Sequence, residues 1–394
     1  MRRRGPIPAE GVSASSRPWQ HHPPTTLQAV LDVLRPFPDR SGYGFEALVL
    51  PNDSVGYSPL VRSFVRAAHQ ARLRPVIVSK EREARLSWFT VDALRAANGS
   101  WAYRWEDEQR RQEPREFDAI SGFRIRRLDD IWRDLSGDRE RIPGFHREDP
   151  SAVGALLFDV FVRRRAEDDT VVGPLARLLV SQLGGGALRR WGLDEPLCEP
   201  WDPAALTASL QSRMPQPPPH LLEDGNGAVA AVTISPTREG LIERVAGAVP
   251  LGGYLPPERL LPDRPPALHP AVTRALEAVA SEYAAIGGMV SYGELSPLAD
   301  GTPGRRIGTR RPDTPLAMLV GPRSLQELSL DVEAIRSRHD VVPVHRNGAP
   351  VPSLIARLSG PDPVWHQLLA FVHDAGAERL GPQMFADVHR GGLR

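Results

Sequence analysis

Lysine is all but missing from this 394-residue chain: of its 49 lysines and arginines, Lys80 alone is a lysine. Chemistry that needs a deprotonatable or Schiff-base-forming amine therefore has a single candidate. Cysteine is equally scarce. Cys198 is the one thiol, which excludes a disulfide within the chain and any cysteine-rich zinc site. It lies between two acidic residues in Glu195-Pro196-Leu197-Cys198-Glu199-Pro200, where negative charge disfavours the thiolate, so it reads as unreactive. No run of about 18 apolar residues occurs, so no membrane-spanning helix is expected. Met1-Arg2-Arg3-Arg4 begins like a signal peptide, but Pro6, Pro8 and Glu10 follow in place of an apolar stretch. The expected location is the cytoplasm. Net charge is only +1 and well mixed, which gives no reason to expect nucleic acid or an anionic membrane as partner.

What is present is a chain rich in proline (40) and glycine (34), with 41% hydrophobic residues, long enough for two or three domains. Residues 1–25 read as a disordered leader, and Thr25-Thr26-Leu27 as the start of a helix toward Leu34. Residues 26–150 form the first unit, a small α/β sheet with parallel pairs. Its strands are a short buried run from Ala47 to Pro51, then Pro75 to Val78, Trp101 to Trp105 and Phe117 to Ile125. Its helices are Tyr57 to Leu73, with a stripe at Leu60, Val61, Phe64, Val65 and Ala68, and Thr90 to Ala97.

Residues 151–249 form the second unit, read as an α+β sandwich. The strand Ala155 to Val162 is followed by helices through Val172 to Leu183 and from Asp202-Pro203. Next come a hairpin turning at Gly225-Asn226-Gly227 and a helix over Leu241 to Ala248. The order β-α-β-α-β-β-α suggests a ferredoxin-like arrangement. Seven prolines lie from Pro250 to Pro270, and residues 250–269 read as a linker. Residues 270–394 form a smaller α+β C-terminal unit. It opens with a helix from Pro270 to Ile286 stopped by Gly287-Gly288 and closes with a helix over Pro363 to His373 capped by Asp362. Three strands lie between, Met289 to Glu294, Leu316 to Val320 and Val341 to His345. The fold class expected is thus α+β, with mixed α/β content.

Candidate chemistry is thin. Lys80 lacks the neighbours of a phosphate loop and of a kinase, so it reads as a strand-end charge beside Glu81 and Glu83. The loop Asn52-Asp53-Ser54 follows the first strand, and ligands of open α/β sheets gather at such strand ends, so Asp53 and Lys80 could share one rim. The same residue types also serve as ordinary turn and cap formers. His366 and His373 share a helix face two turns apart, too far for one metal ion, and His339, Asp340 and His345 offer a weaker alternative. No metal or cofactor is expected, and no catalytic residue is assigned. Arg163-Arg164-Arg165 is offset by Glu167-Asp168-Asp169. Arg305, Arg306, Arg310 and Arg311 fall in a loop with Asp300 and Asp313 nearby, which reads as solvated rather than nucleic-acid binding. Trp191 and Trp201 bracket the run Trp-Gly-Leu-Asp-Glu-Pro-Leu-Cys-Glu-Pro-Trp-Asp. They read either as edge-segment packing or as anchors of a protein interface.

From Phe158-Asp159-Val160 through Gly184-Gly185, Trp191-Gly192, Glu195-Pro196 and Pro200-Trp201 to Ala205-Leu206-Thr207, the chain resembles an actinobacterial family of unknown function. Phe117 to Gly122 and Ser235 to Gly240 extend the likeness, with Ala119 standing where the family favours glycine. Some members of that family lie near type VII secretion genes, which implies an accessory or interaction role; it supplies no site residues. Two functions follow as expectations: a non-enzymatic cytoplasmic accessory protein that binds a protein partner, or a small-molecule or nucleotide-handling enzyme using the rim near Asp53 and Lys80.

Overall fold

The computed structural model describes residues 44–106, 114–120, 122–128, 131, 140–142, 149–252, 268–308, 313–327, 329–346 and 348–375. The leader at 1–25 and the helix expected after Thr25 lie outside these residues, as do Arg310 and Arg311. The class is mixed α+β.

Valine and isoleucine in Arg74–Ser79 have no exposure, as befits a strand inside the first sheet. It pairs in parallel with Phe45–Leu50 on one side and Ser100–Trp105 on the other. Arg115–Asp118 and Arg124–Ile125 add antiparallel strands, giving five in all. Helices Pro59–Gln70 and Trp88–Ala96 are the crossovers, capped by Ser58 and Ser87. The second crossover stops at Asn98, which takes a left-handed φ of 50° before Gly99.

The larger sheet has ten strands, all paired antiparallel. In spatial order they are Glu199–Pro200, Arg190–Gly192, His220–Glu223, Val229–Thr237, Gly240–Pro250, Val153–Arg164, Ala284–Leu295, Thr314–Val320, Ser353–Arg357 and Val341–Val344. Val153–Arg164 is bonded to Gly240–Pro250 on one side and to Ala284–Leu295 on the other. One sheet therefore runs across the 250–269 segment read as a boundary. Helices Pro174–Gln182, Pro203–Gln211 and Leu268–Glu282 cover one face, packing Leu175, Leu179, Leu206 and Leu276 on Val160, Val162 and Val245. The α/β unit covers part of the other, with Val61, Leu86 and Phe89 in one core with Leu157, Ala246 and Ala248, and the C-terminal helices bring Ile335, Leu368 and Phe371 onto Met318, Val320 and Leu354. A three-stranded sheet of Ser54–Val55, Arg85–Ser87 and Gly304–Arg306 joins that unit to the C-terminal half.

Three local expectations are corrected. Leu241 to Ala248 is strand, not helix, so the second unit ends on a third consecutive strand. Leu241, Val245 and Val249 recur every four residues, a spacing that fits a helix face and one face of a strand alike. The helix after Leu268 ends at Glu282, and Gly287 and Gly288 belong to the next strand. A Cβ at Gly288 would lie 2.9 Å from Val160 Cγ2, and the register shifts between Ala285 and Gly287, so close approach and a bulge use these glycines. Pro363, rather than Asp362, precedes the last helix, Val364–Asp374, without a side-chain cap.

Candidate functional site

Leu50 lies opposite Ser79 in register, so the 51–57 loop and Lys80 leave the parallel sheet side by side. Asp53 is exposed, and its carbonyl accepts from the Arg85 amide at 2.6 Å. Lys80 is exposed and paired with Glu106 at 3.1 Å.

Glu195 enters this rim from the far sheet. The Tyr57 amide donates to Glu195 Oε2, and the Glu195 amide donates to the Tyr57 carbonyl at 3.0 Å. The next residue, Ser58, is the cap of Pro59–Gln70, with its hydroxyl accepting from the Val61 amide at 3.4 Å. A carboxylate of the chain itself thus sits at the helix start, where α/β folds place anionic ligands. The Ser87 side chain also bonds Glu195, and its hydroxyl accepts from the Thr90 amide at 3.2 Å to cap the second helix. Burial pushes the Glu195 carboxyl up, with Asp300 and Glu223 adding to the push and Ser87 and the Tyr57 amide opposing it. Burial likewise raises Asp194, offset in part by Arg62 at 2.9 Å. Oε1 of Glu195 and Oδ1 of Asp194 are buried without a hydrogen-bond partner among the described residues. Tyr57, 2% exposed, is pushed well above the ordinary phenol range by burial.

A second contact locks the same junction. Arg244 bonds Asp159 through Nε and Nη2, both at 2.9 Å, and Asp92 through Nη2 at 2.7 Å and Nη1 at 3.2 Å. Asp92 lies on Trp88–Ala96 and Asp159 on the large sheet, so one guanidinium joins the two units by charge-assisted, bidentate bonds. Burial opposes its charge, but Asp159 and Asp92 outweigh that and raise its pKa. Nearby, Asp149 accepts from the Ser151 amide at 2.9 Å and lies 3.5 Å from Arg85 and 3.9 Å from Arg306.

With the geometry in view, residues 155–377 match the C-terminal domain of the DUF6177 family, more than half of the chain. The chain belongs to this family. DUF6177 is a family of unknown function. Among curated proteins and among solved structures nothing matches the chain. The DUF6177 match spans Asp159, Glu195, Glu243 and Arg244, while Asp53, Tyr57, Lys80 and Asp92 lie before it.

Within the DUF6177 domain the two singled-out tryptophans are turned inward. Trp191 is 8% exposed and stacks on His220 at 5.6 Å, and Trp201 is half-buried against Gly173. His220 bonds the Ser209 hydroxyl through Nε2 at 2.9 Å and the Pro218 carbonyl through Nδ1 at 3.0 Å, and burial pulls its pKa down to about 4. Arg305 and Arg306 form a strand instead of a solvated loop, with Arg305 bonded to Asp313 at 2.5 Å and Arg306 buried near Asp149. His339 and His373 both reach Asp374, at 2.8 and 3.5 Å, while His366 is exposed. Among the described residues no group of three or more His, Cys, Asp or Glu side chains is placed to hold a metal ion, and no helix is long and apolar enough to cross a membrane. Glu195 stood inside the run that sequence reading singled out. A helical reading of Leu241 to Ala248 hides Arg244; the charge pair inside Leu-Ile-Glu-Arg-Val-Ala is the signal that points to it.

Proposed function

We propose that this DUF6177 member is a cytoplasmic, non-enzymatic component that binds a protein partner by adding the partner's strand to the edge of its five-stranded sheet. The observation that carries this reading is Phe45–Leu50. Among the described strands it pairs on one side only, with Arg74–Ser79. Open edges are templates for foreign strands, and proteins guard them with proline, lysine or short length. The ten-stranded sheet guards both its edges in this way: Glu199–Pro200 is two residues long with a proline, and Val341–Val344 contains Pro343. Phe45-Glu46-Ala47-Leu48-Val49-Leu50 has no proline and no lysine. Val49 is 39% exposed, and Leu60, at the start of the helix that contacts this strand, is 58% exposed. Glu46 is exposed and is the strand's one charge, so a partner segment carrying arginine or lysine opposite it fits best. The resemblance to proteins encoded near type VII secretion genes makes a component of that system the first partner to try.

The rim near Asp53 and Lys80 supports a nucleotide or small-molecule reading less well, because an anionic ligand there must displace the Glu195 carboxylate. The deciding experiment is affinity capture from the native host with mass spectrometry, using the full chain and its Val49→Lys and Leu60→Glu variants. A partner retained by the wild type and lost from folded Val49→Lys supports the reading. Equal capture by all three proteins, or a nucleotide-induced thermal shift with no partner, overturns it.

A further inference from the structure

Glu243 has no solvent exposure at the centre of the ten-stranded sheet, on the face covered by helices. Its Oε1 accepts from the Gly173 amide at 3.3 Å, and Oε2 is buried with no hydrogen-bond partner among the described residues. Among the described residues two titratable groups face it. Arg164, on the neighbouring strand, brings Nε to 3.8 Å, beyond hydrogen-bond reach, and lays its guanidinium over the Tyr283 ring at 5.3 Å. Tyr283, next after Leu268–Glu282, is the other, and Glu243 and Arg164 act on it in turn. Helix Pro174–Gln182 contributes the Gly173 amide at its start. Helix Pro203–Gln211 contributes the Thr207 hydroxyl, which accepts from the Val172 amide at 2.9 Å.

The segment that runs from Arg164 to the Gly173 amide is largely exposed and polar. Arg165 to Asp169 and Val171 are exposed. A few bonds fasten the segment: Arg164 Nη2 to the Val171 carbonyl at 2.7 Å, Thr170 Oγ1 to the Arg165 carbonyl at 2.8 Å, and the Val172 and Gly173 contacts just described. Gly173 takes a left-handed φ of 104°, and the Trp201 indole packs on it so closely that a Cβ would lie 2.8 Å from Cη2.

We propose that Glu243 is a proton-operated latch: as the neutral acid it keeps residues 165–173 closed over the sheet, and its ionisation opens them so that water reaches the carboxylate. A buried charge with one oxygen unmet is costly, and the cheapest relief is to lift an exposed polar segment rather than to break a sheet. Burial holds the carboxyl at about 7, against the opposing pull of Arg164 and the Gly173 amide, whereas a hydrated glutamate titrates near 4.5. The closed form therefore binds the proton more tightly than the open form. The opening equilibrium rises by about two orders of magnitude as pH passes from below 4.5 to above 7.

Amide hydrogen exchange at Val172 and Gly173 in the full chain, corrected for intrinsic exchange, tests this between pH 5 and 8.5. Protection in the wild type is expected to fall roughly a hundredfold and to stay level in Glu243→Gln, which keeps the size and the acceptor. Independently, the fluorescence difference between wild type and Trp201→Phe is expected to titrate with a midpoint near 7. Level protection in the wild type, the same fall in Glu243→Gln, or a Trp201 signal that does not titrate in this range overturns the latch.

Discussion

Glu243 and Arg244 are neighbours on one strand and point to opposite faces of one sheet, yet their environments differ in kind. Arg244 makes four hydrogen bonds to two carboxylates. Among the described residues Glu243 accepts one, from a backbone amide, and its one close cation lies at 3.8 Å. The difference comes from what each face packs against. Arg244 lies at the seam between two units, and each unit brings a carboxylate on its own element. Glu243 lies under helices that present Leu175, Leu179, Leu206 and Leu276, so little beyond a helix start and one arginine can reach it. Burial alone does not decide whether a charge is a fastening or a responsive element. The number of partners decides.

The largest effect is expected at the well-partnered charge. Arg244→Met leaves Asp92 and Asp159 facing each other without a cation, and should cost about 3–5 kcal/mol in chemical denaturation. Adding Asp92→Asn to that variant should recover part of the loss, because the two sites share one network and cannot act additively. Full additivity would mean that the seam is not a network and would erase the contrast with Glu243.

Glu243→Gln should act in the opposite direction and only at higher pH. The folded-state value of about 7 lies above the ordinary 4.5, so the stabilising form is the protonated one. Its contribution is complete below pH 4.5 and is lost as pH rises through 7. The glutamine variant, which cannot ionise, should therefore match the wild type at pH 4 and exceed it by up to about 3 kcal/mol at pH 8. Melting curves of both proteins across that range give the comparison, and an advantage over the wild type no larger at pH 8 than at pH 4 would show that Glu243 finds its missing partner.

Glu195 falls between the two, with one oxygen held and one unmet. Glu195→Ala strips the acceptor from the Tyr57 amide and should cost about 1–3 kcal/mol. Denaturation of the folded variant measures the loss, and a cost as large as that of Arg244→Met would make the rim, not the seam, the main fastening between the units.

Much of the α/β unit was legible because its signals are local: apolar runs at strand length, a helical stripe at Val61, Val65 and Ala68, and turn residues at Asn98-Gly99. The 51–57 loop and Lys80 were correctly brought to one strand end by the same logic. Glu195 could not be placed there, since the contact spans 138 residues and no local pattern records it. Leu241 to Ala248 reads as helix because a four-residue recurrence satisfies both periods, and that reading hides both the burial of Glu243 and the half-buried place of Arg244 at the seam. The two sides of 250–269 read as separate units because proline density is visible along the chain, whereas the strand that joins them, Val153–Arg164, lies far upstream.

The smallest effect is expected where charge has water on most sides. Lys80 is the chain's one lysine, and its pair with Glu106 is exposed on both partners. Such pairs contribute about 0.5 kcal/mol or less, since solvent and salt screen them and both side chains lose freedom. Lys80→Ala should therefore leave the melting curve and partner capture unchanged. Placed beside Arg244→Met, this variant separates two explanations of the seam. If loss of any cation near the rim weakened the protein alike, total charge would be what matters. If only Arg244 does so, the bidentate bonds to Asp92 and Asp159 hold the units together, and the scarcity of lysine takes on a structural sense: arginine alone has the fork that such a junction needs.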